Sequence, residues 1–95
     1  MRILWDEEKE RSNRRKHGIG FATASNVFLD PFHITRQDRI VDGEERWQII
    51  GMVGGIVLVL VAYTVLDEAE EVIRIISARR VTRQERIAYE QAREI

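Results

Sequence analysis

Ninety-five residues, 44% of them hydrophobic and 33% charged, are enough for one folded domain with a single core; they exclude two cores and extended disorder. Without cysteine the chain has no disulfides, thiolate metal sites or cysteine nucleophiles, and its two histidines lack ligand spacing for zinc. The formal charge of −1 counts against indiscriminate nucleic-acid binding, so any such role must rest on where the cations are placed.

The opening, Met1 to Asp6, lacks the apolar core of a signal peptide and predicts a short strand over residues 2–5. Asp6 is placed to cap a helix over residues 7–17, which begins acidic and ends basic as the macrodipole favours, and Gly18 ends it. This helix carries no apolar residue. Its attachment must come from Trp5, Ile19 and Phe21, and it is either solvated or turns a polar face to a ligand or partner. Asn13 is suited to anchor it to a sheet by hydrogen bonds.

A second helix is predicted over residues 21–28, anchored by Ala22, Ala24 and Val27 and broken at Asp30-Pro31. A strand follows near residues 33–35, with His33 read as structural, and Asp42-Gly43 is a turn signal. Over residues 45–53 Trp47 and Ile49 alternate with Arg46 and Gln48, as a half-buried strand requires. Residues 49–66 hold no charge, which is long enough for a membrane helix. Gly51, Gly54 and Gly55 and the β-branched run at 56–61 instead predict two strands joined at Gly54-Gly55, no membrane insertion, and a cytoplasmic protein.

Residues 56–65 are the expected sheet centre, 67–71 an acidic turn, and 72–79 the neighbouring strand. Thr82-Arg83-Gln84-Glu85 fits a capping box and starts a last helix over 83–94. The sum is an α+β fold: an antiparallel β-sheet with two N-terminal helices and a C-terminal helix, in a single domain over 1–95.

The stretch from Arg74 to Arg86 concentrates arginines at a strand–helix junction. A guanidinium stays charged and can donate two parallel hydrogen bonds to phosphate oxygens. Strand alternation predicts Arg74 and Arg80 on one face and Arg79 on the other.

In order along the chain, Trp5-Asp6-Glu7-Glu8-Lys9, Asn13, Lys16-His17-Gly18-Ile19, Phe21, Val27-Phe28, Asp30-Pro31, Glu45-Arg46, Gly51, Arg74 to Arg79, and Glu85-Arg86 with Tyr89 resemble the BrnT family of toxins. The resemblance implies the toxin half of a type II toxin–antitoxin pair. It also implies a compact RelE-like fold and a ribonuclease activity, without cofactors, that inhibits translation. The implied partners are RNA and a BrnA-like ribbon–helix–helix antitoxin in a hetero-oligomer, with DNA reached only through that antitoxin.

Metal-independent endoribonuclease chemistry uses the substrate's 2′-hydroxyl as nucleophile and needs a base, an acid and cations at the phosphate. Arg79 and Arg80 are the first candidates for phosphate stabilisation, Arg79 ranking ahead, with Arg74, Arg46 and Arg83 as further contacts. Lys16 and His17 are candidates for proton transfer, although His17 equally suits a helix C-cap. Glu45 is a candidate base or an ion-pair partner of Arg46. Glu85 is accounted for by the capping box, while Tyr89 and Trp47 suit core packing better than base stacking. The rival function is a non-catalytic interaction module that binds a DNA-binding antitoxin and tunes operon repression.

Overall fold

The computed structural model describes residues 1–94; Ile95, the last position of the expected domain, lies outside them. The elements are β1 (Arg2–Leu4), α1 (Glu7–His17), α2 (Phe21–Ala24), a 3₁₀ segment (Ser25–Leu29), β2 (Ile34–Val41), β3 (Glu44–Val53), β4 (Val57–Asp67), β5 (Val72–Arg80) and α3 (Arg83–Arg93). They form one sheet in the order β1-β5-β4-β3-β2.

Strands β2 to β5 are successive antiparallel neighbours, turned at Asp42-Gly43 and Gly54-Gly55 with positive φ at all four residues. The expected all-antiparallel sheet is corrected at its edge, because β1 pairs parallel with β5 in register Arg2 with Val72. A parallel pair needs a long crossover, which the elements between β1 and β5 supply. No described helix is long and apolar enough to cross a membrane, and the uncharged 49–66 run is divided between β3 and β4.

The helical segment after Phe21 is shorter than expected. It leaves α-geometry at Ser25, where the Ser25 hydroxyl donates to the Ala22 carbonyl at 2.7 Å and the Asn26 amide to the Thr23 carbonyl at 3.1 Å. Such side chains compete with the helix ladder for backbone acceptors. Strand β2 is longer than expected, continuing to Val41 with an irregularity between Gln37 and Ile40. Its side chains are exposed from Thr35 to Ile40, so no apolar alternation marks it in the sequence.

The sheet buries two unequal faces. The larger packs Phe21, Ala24 and Val27 against Ile49, Val59, Val61, Ile75 and Ala78. The smaller packs Tyr89 of α3 against Ile50, Leu58 and Leu60. Gly51 lets the 3₁₀ segment approach: a Cβ there would stand 2.8 Å from the Val27 carbonyl oxygen.

The apolar-free α1 attaches through polar groups. Its N-terminus is capped by Asp6, whose carboxylate accepts from the Lys9 amide at 3.0 Å, and its end is closed by Gly18 at φ 74°, whose amide donates to the Arg14 carbonyl. Buried Asn13 accepts from the Ala78 amide at 3.2 Å and donates to the Ala78 carbonyl at 2.8 Å, as a neighbouring strand would. Buried Glu10 accepts from the Phe21 amide.

A candidate arginine face

The register of β5 decides which arginines meet. Ser77 pairs with Ala62 and Ile75 with Tyr63, so Ile76 is an extra residue opposite no partner. A bulge of this kind reverses the alternation beyond it. Arg74, opposite Thr64, therefore shares a face with Ser77 and Arg79, opposite Ala62 and Leu60, while Arg80 opposite Val59 takes the other face. This corrects the expected grouping of Arg74 with Arg80.

The cross-strand neighbours continue the same face onto Gln48, opposite Ala62, and onto Arg36, opposite Gln48. Arg46 and Glu44 follow from Gln48 by strand alternation. A depression of about 170 Å³ on this face is lined by Asp38, Arg39, Arg46, Gln48, Ser77 and Arg79, among others. The first turn of α3 borders it and delivers Glu85.

Glu85 organises the cations. Its carboxylate accepts from Arg79 Nη1 at 2.8 Å and Nη2 at 3.0 Å, a two-point grip, and from Arg36 Nη2 at 3.1 Å. It also completes the capping box with Thr82, accepting from the Thr82 amide at 2.8 Å. These donors, the Arg79 guanidinium first, hold its pKa down to about 2 against the burial that would raise it. The same contact raises the Arg79 pKa. Arg36 is oriented a second time by Gln48, its Nε donating to Oε1 at 2.6 Å.

Glu44 makes a second knot. Arg74 Nη2 donates to both of its oxygens, at 2.9 and 3.1 Å, while Arg46 Nε lies 3.2 Å from Oε1. The Arg46 approach satisfies distance but not direction. Its buried Nε has no hydrogen-bond acceptor among the described residues, so the contact is coulombic rather than a hydrogen bond.

Of the sequence candidates, Arg79, Arg74 and Arg46 come together here. Lys16 and His17 end α1, which lies along β5 through Asn13, and neither lines the depression. Glu45 has the parity of Trp47, on the reverse face. Arg80 is exposed beyond the larger core, and Arg83 is exposed in the first turn of α3. Sequence reasoning missed Arg36 because β2 was not read that far. It also passed over Glu44, although the alternation of Arg46 and Gln48 points to it.

Tyr89 is buried in the smaller core, its hydroxyl donating to Asp30 Oδ2 at 2.5 Å, and Trp47 packs partly buried against the larger one. Among the described residues no group of three His, Asp or Glu side chains is placed to hold a metal ion.

The family model for "Ribonuclease toxin, BrnT, of type II toxin-antitoxin system" matches residues 5–85. The chain belongs to the BrnT family. Its fold is similar to the crystal structure of the Brucella abortus ribonuclease toxin BrnT, with a TM-score of 0.65 and 27% sequence identity over 87% of this chain and 99% of that one. No curated protein matches it significantly in sequence. The BrnT match runs from Trp5, just after β1, through the first turn of α3, and so includes Arg36, Glu44, Arg46, Arg74, Arg79 and Glu85.

Proposed function

We propose that this chain is a metal-independent endoribonuclease toxin that cleaves RNA on its arginine face and thereby inhibits translation in the cytoplasm. The observation that carries this reading is the shared grip of Glu85 on Arg79 and Arg36. Two guanidiniums from different strands are held side by side on the open face. A carboxylate holds them in the geometry that the non-bridging oxygens of a phosphodiester would use. Fixed cations of this kind stabilise the charge that builds on phosphorus without reorganising.

The 2′-hydroxyl attacks phosphorus and the bond to the 5′-oxygen breaks, leaving a 2′,3′-cyclic phosphate and a 5′-hydroxyl. Glu85, held to a pKa of about 2, is a poor base. Glu44 is the other carboxylate knotted to arginines on this face, and we assign it the 2′-hydroxyl proton. The leaving oxygen takes its proton from water on the open side. The same reading includes a single toxin domain over 1–95, a RelE-like fold, and neutralisation by a ribbon–helix–helix antitoxin that carries the complex to DNA.

The test is expression of wild type, Arg79→Ala and Arg36→Ala, with growth and RNA ends followed, and cleavage repeated with purified protein in EDTA. Each variant should lose on the order of 10²-fold in cleavage rate, since that is the cost of removing one fixed transition-state donor. Cyclic-phosphate ends should persist in EDTA. Unchanged cleavage by folded variants overturns the assignment.

The non-catalytic module keeps one observation in its favour: Arg36, Arg46, Arg74 and Arg79 are already paired to Glu85 and Glu44. Growth arrest without RNA cleavage would select it.

A further inference from the structure

The other face of the sheet is left partly bare. The α2 and 3₁₀ segments cover one end of it, over Gly51, Val59 and Val61. At the opposite end a groove of about 310 Å³ has Phe28, Ile49, Tyr63, Val65 and Ile73 among its lining residues. One wall is the edge-to-face pair of Phe28 and Tyr63, with ring centroids 5.3 Å apart. Through Val65 and Glu68 the groove continues into a second depression that adds Trp47, Leu66 and Glu45 and, round the end of the sheet, reaches Glu44. Val65 and Leu66 remain 37% and 45% exposed, high for aliphatic side chains beside a core.

The rim is mainly acidic, its one ammonium being that of Met1, 3.9 Å from Glu71 Oε2. Glu68 and Glu71 line the first depression and Glu45 and Glu68 the second, and the turn between β4 and β5 carries Asp67, Glu68, Glu70 and Glu71. Arg46, Arg74 and Arg79 lie on the reverse face, and Arg80, though on the groove's face, stands opposite Val59 at the far end of β5 from Glu71. The net charge of −1 therefore conceals a chain with a cationic and an anionic side.

We infer that this acid-rimmed apolar groove is the docking surface for the antitoxin, and that the segment it receives is amphipathic, with aliphatic residues flanked by Lys or Arg. The inference rests on the reading that an antitoxin restrains this chain. The choice of occupant follows from charge. RNA would bring its phosphates against the carboxylates. A second copy, in a two-fold pairing, would set the same acidic rim against itself, and like charges across an interface are costly. A basic amphipathic segment satisfies both the floor and the rim, and it leaves Arg36 and Arg79 uncovered, since neither lines either depression.

The test measures binding of the antitoxin expressed from the same operon to purified wild type, Val65→Asp, a Glu68→Lys/Glu71→Lys double variant, and Arg36→Ala as the opposite-face control. Thermal melts establish that each variant is folded, and RNA cleavage by the free toxin should be unchanged in the two groove variants. The double reversal should slow association about tenfold and flatten its salt dependence, as rim charges do. Val65→Asp should weaken binding about 100-fold through faster dissociation, as loss of a central apolar contact does. Arg36→Ala should bind like wild type.

Wild-type affinity in both groove variants, or loss of binding only in Arg36→Ala, overturns the docking site while leaving an antitoxin partner intact. A wild-type dimer dispersed by Val65→Asp assigns the groove to self-association instead, and also overturns it. Failure of the wild type itself to bind any antitoxin removes the underlying reading, and the docking site with it.

Discussion

Asn13 stands in for a missing strand beside Ala78. Strand β1 covers the outer edge of β5 only from Val72 to Arg74, and farther along that edge the Asn13 carboxamide supplies both the acceptor and the donor that Ala78 needs. A helix without apolar residues can therefore close a sheet edge, because the interaction it offers is the polar one that the edge lacks.

Replacing Asn13 with Leu should destabilise the fold by about 2–4 kcal/mol, since it strands two buried backbone groups at once. Urea denaturation of the two proteins measures this. A loss below about 0.5 kcal/mol, the level of an ordinary surface substitution, would mean that water takes over both groups.

The clamp on Glu85 makes stability depend on acid. Its folded pKa of about 2 lies below the ordinary 4.5, so the contribution is complete above about pH 4.5 and declines as pH falls towards 2. With its side chain only 9% exposed, the interaction is worth about 2–3 kcal/mol. Denaturation of wild type and Glu85→Gln at neutral pH and at about pH 3 should give curves that converge on acidification. Parallel curves would show that the carboxylate is not held as described.

Both tyrosines resist ionisation in the folded state. Burial raises the Tyr63 pKa, and burial with the Asp30 carboxylate carries that of Tyr89 to about 12. Tyrosinate absorbance should stay low in the native protein at about pH 10, where an unfolded tyrosine is half ionised, and appear on unfolding. Because the folded form keeps its protons longer, stability should fall as pH rises from 10 towards 12.

Gly51→Ala should cost about 1–3 kcal/mol, because its new methyl would meet the Val27 backbone at 2.8 Å, where no side-chain rotation relieves the overlap. Thermal unfolding checks it, and a variant as stable as wild type would show that the 3₁₀ segment can move off the sheet.

The legible parts of the fold were those with local chemistry. The bounds of α1 follow from Asp6 and Gly18, the start of α3 from Thr82 and Glu85, and the β3–β4 hairpin from Gly54-Gly55. Each signal acts within a few residues of itself. The arginine face was legible in its residue types but not in its assembly. One unpaired residue, Ile76, moves Arg79 onto the side of Arg74, and nothing local distinguishes it from its neighbour Ile75. Arg36 was hidden because an edge strand with exposed side chains needs no apolar alternation. Glu45 was misplaced by its nearness to Arg46 in sequence, when its pleat parity with Trp47 put it on the reverse side.

The parallel pairing of β1 with β5 also has a consequence in time. Arg2 meets Val72 only after seventy further positions have been synthesised, and the arginine face waits longer, because it joins Arg36, Arg79 and Glu85. Contacts so distant in sequence form slowly and late. While the chain is still growing, β1 has no β5 to pair with and Arg36 and Arg79 have no Glu85 to hold them. The nascent protein is thus without its assembled arginine face until nearly all of it has left the ribosome that makes it.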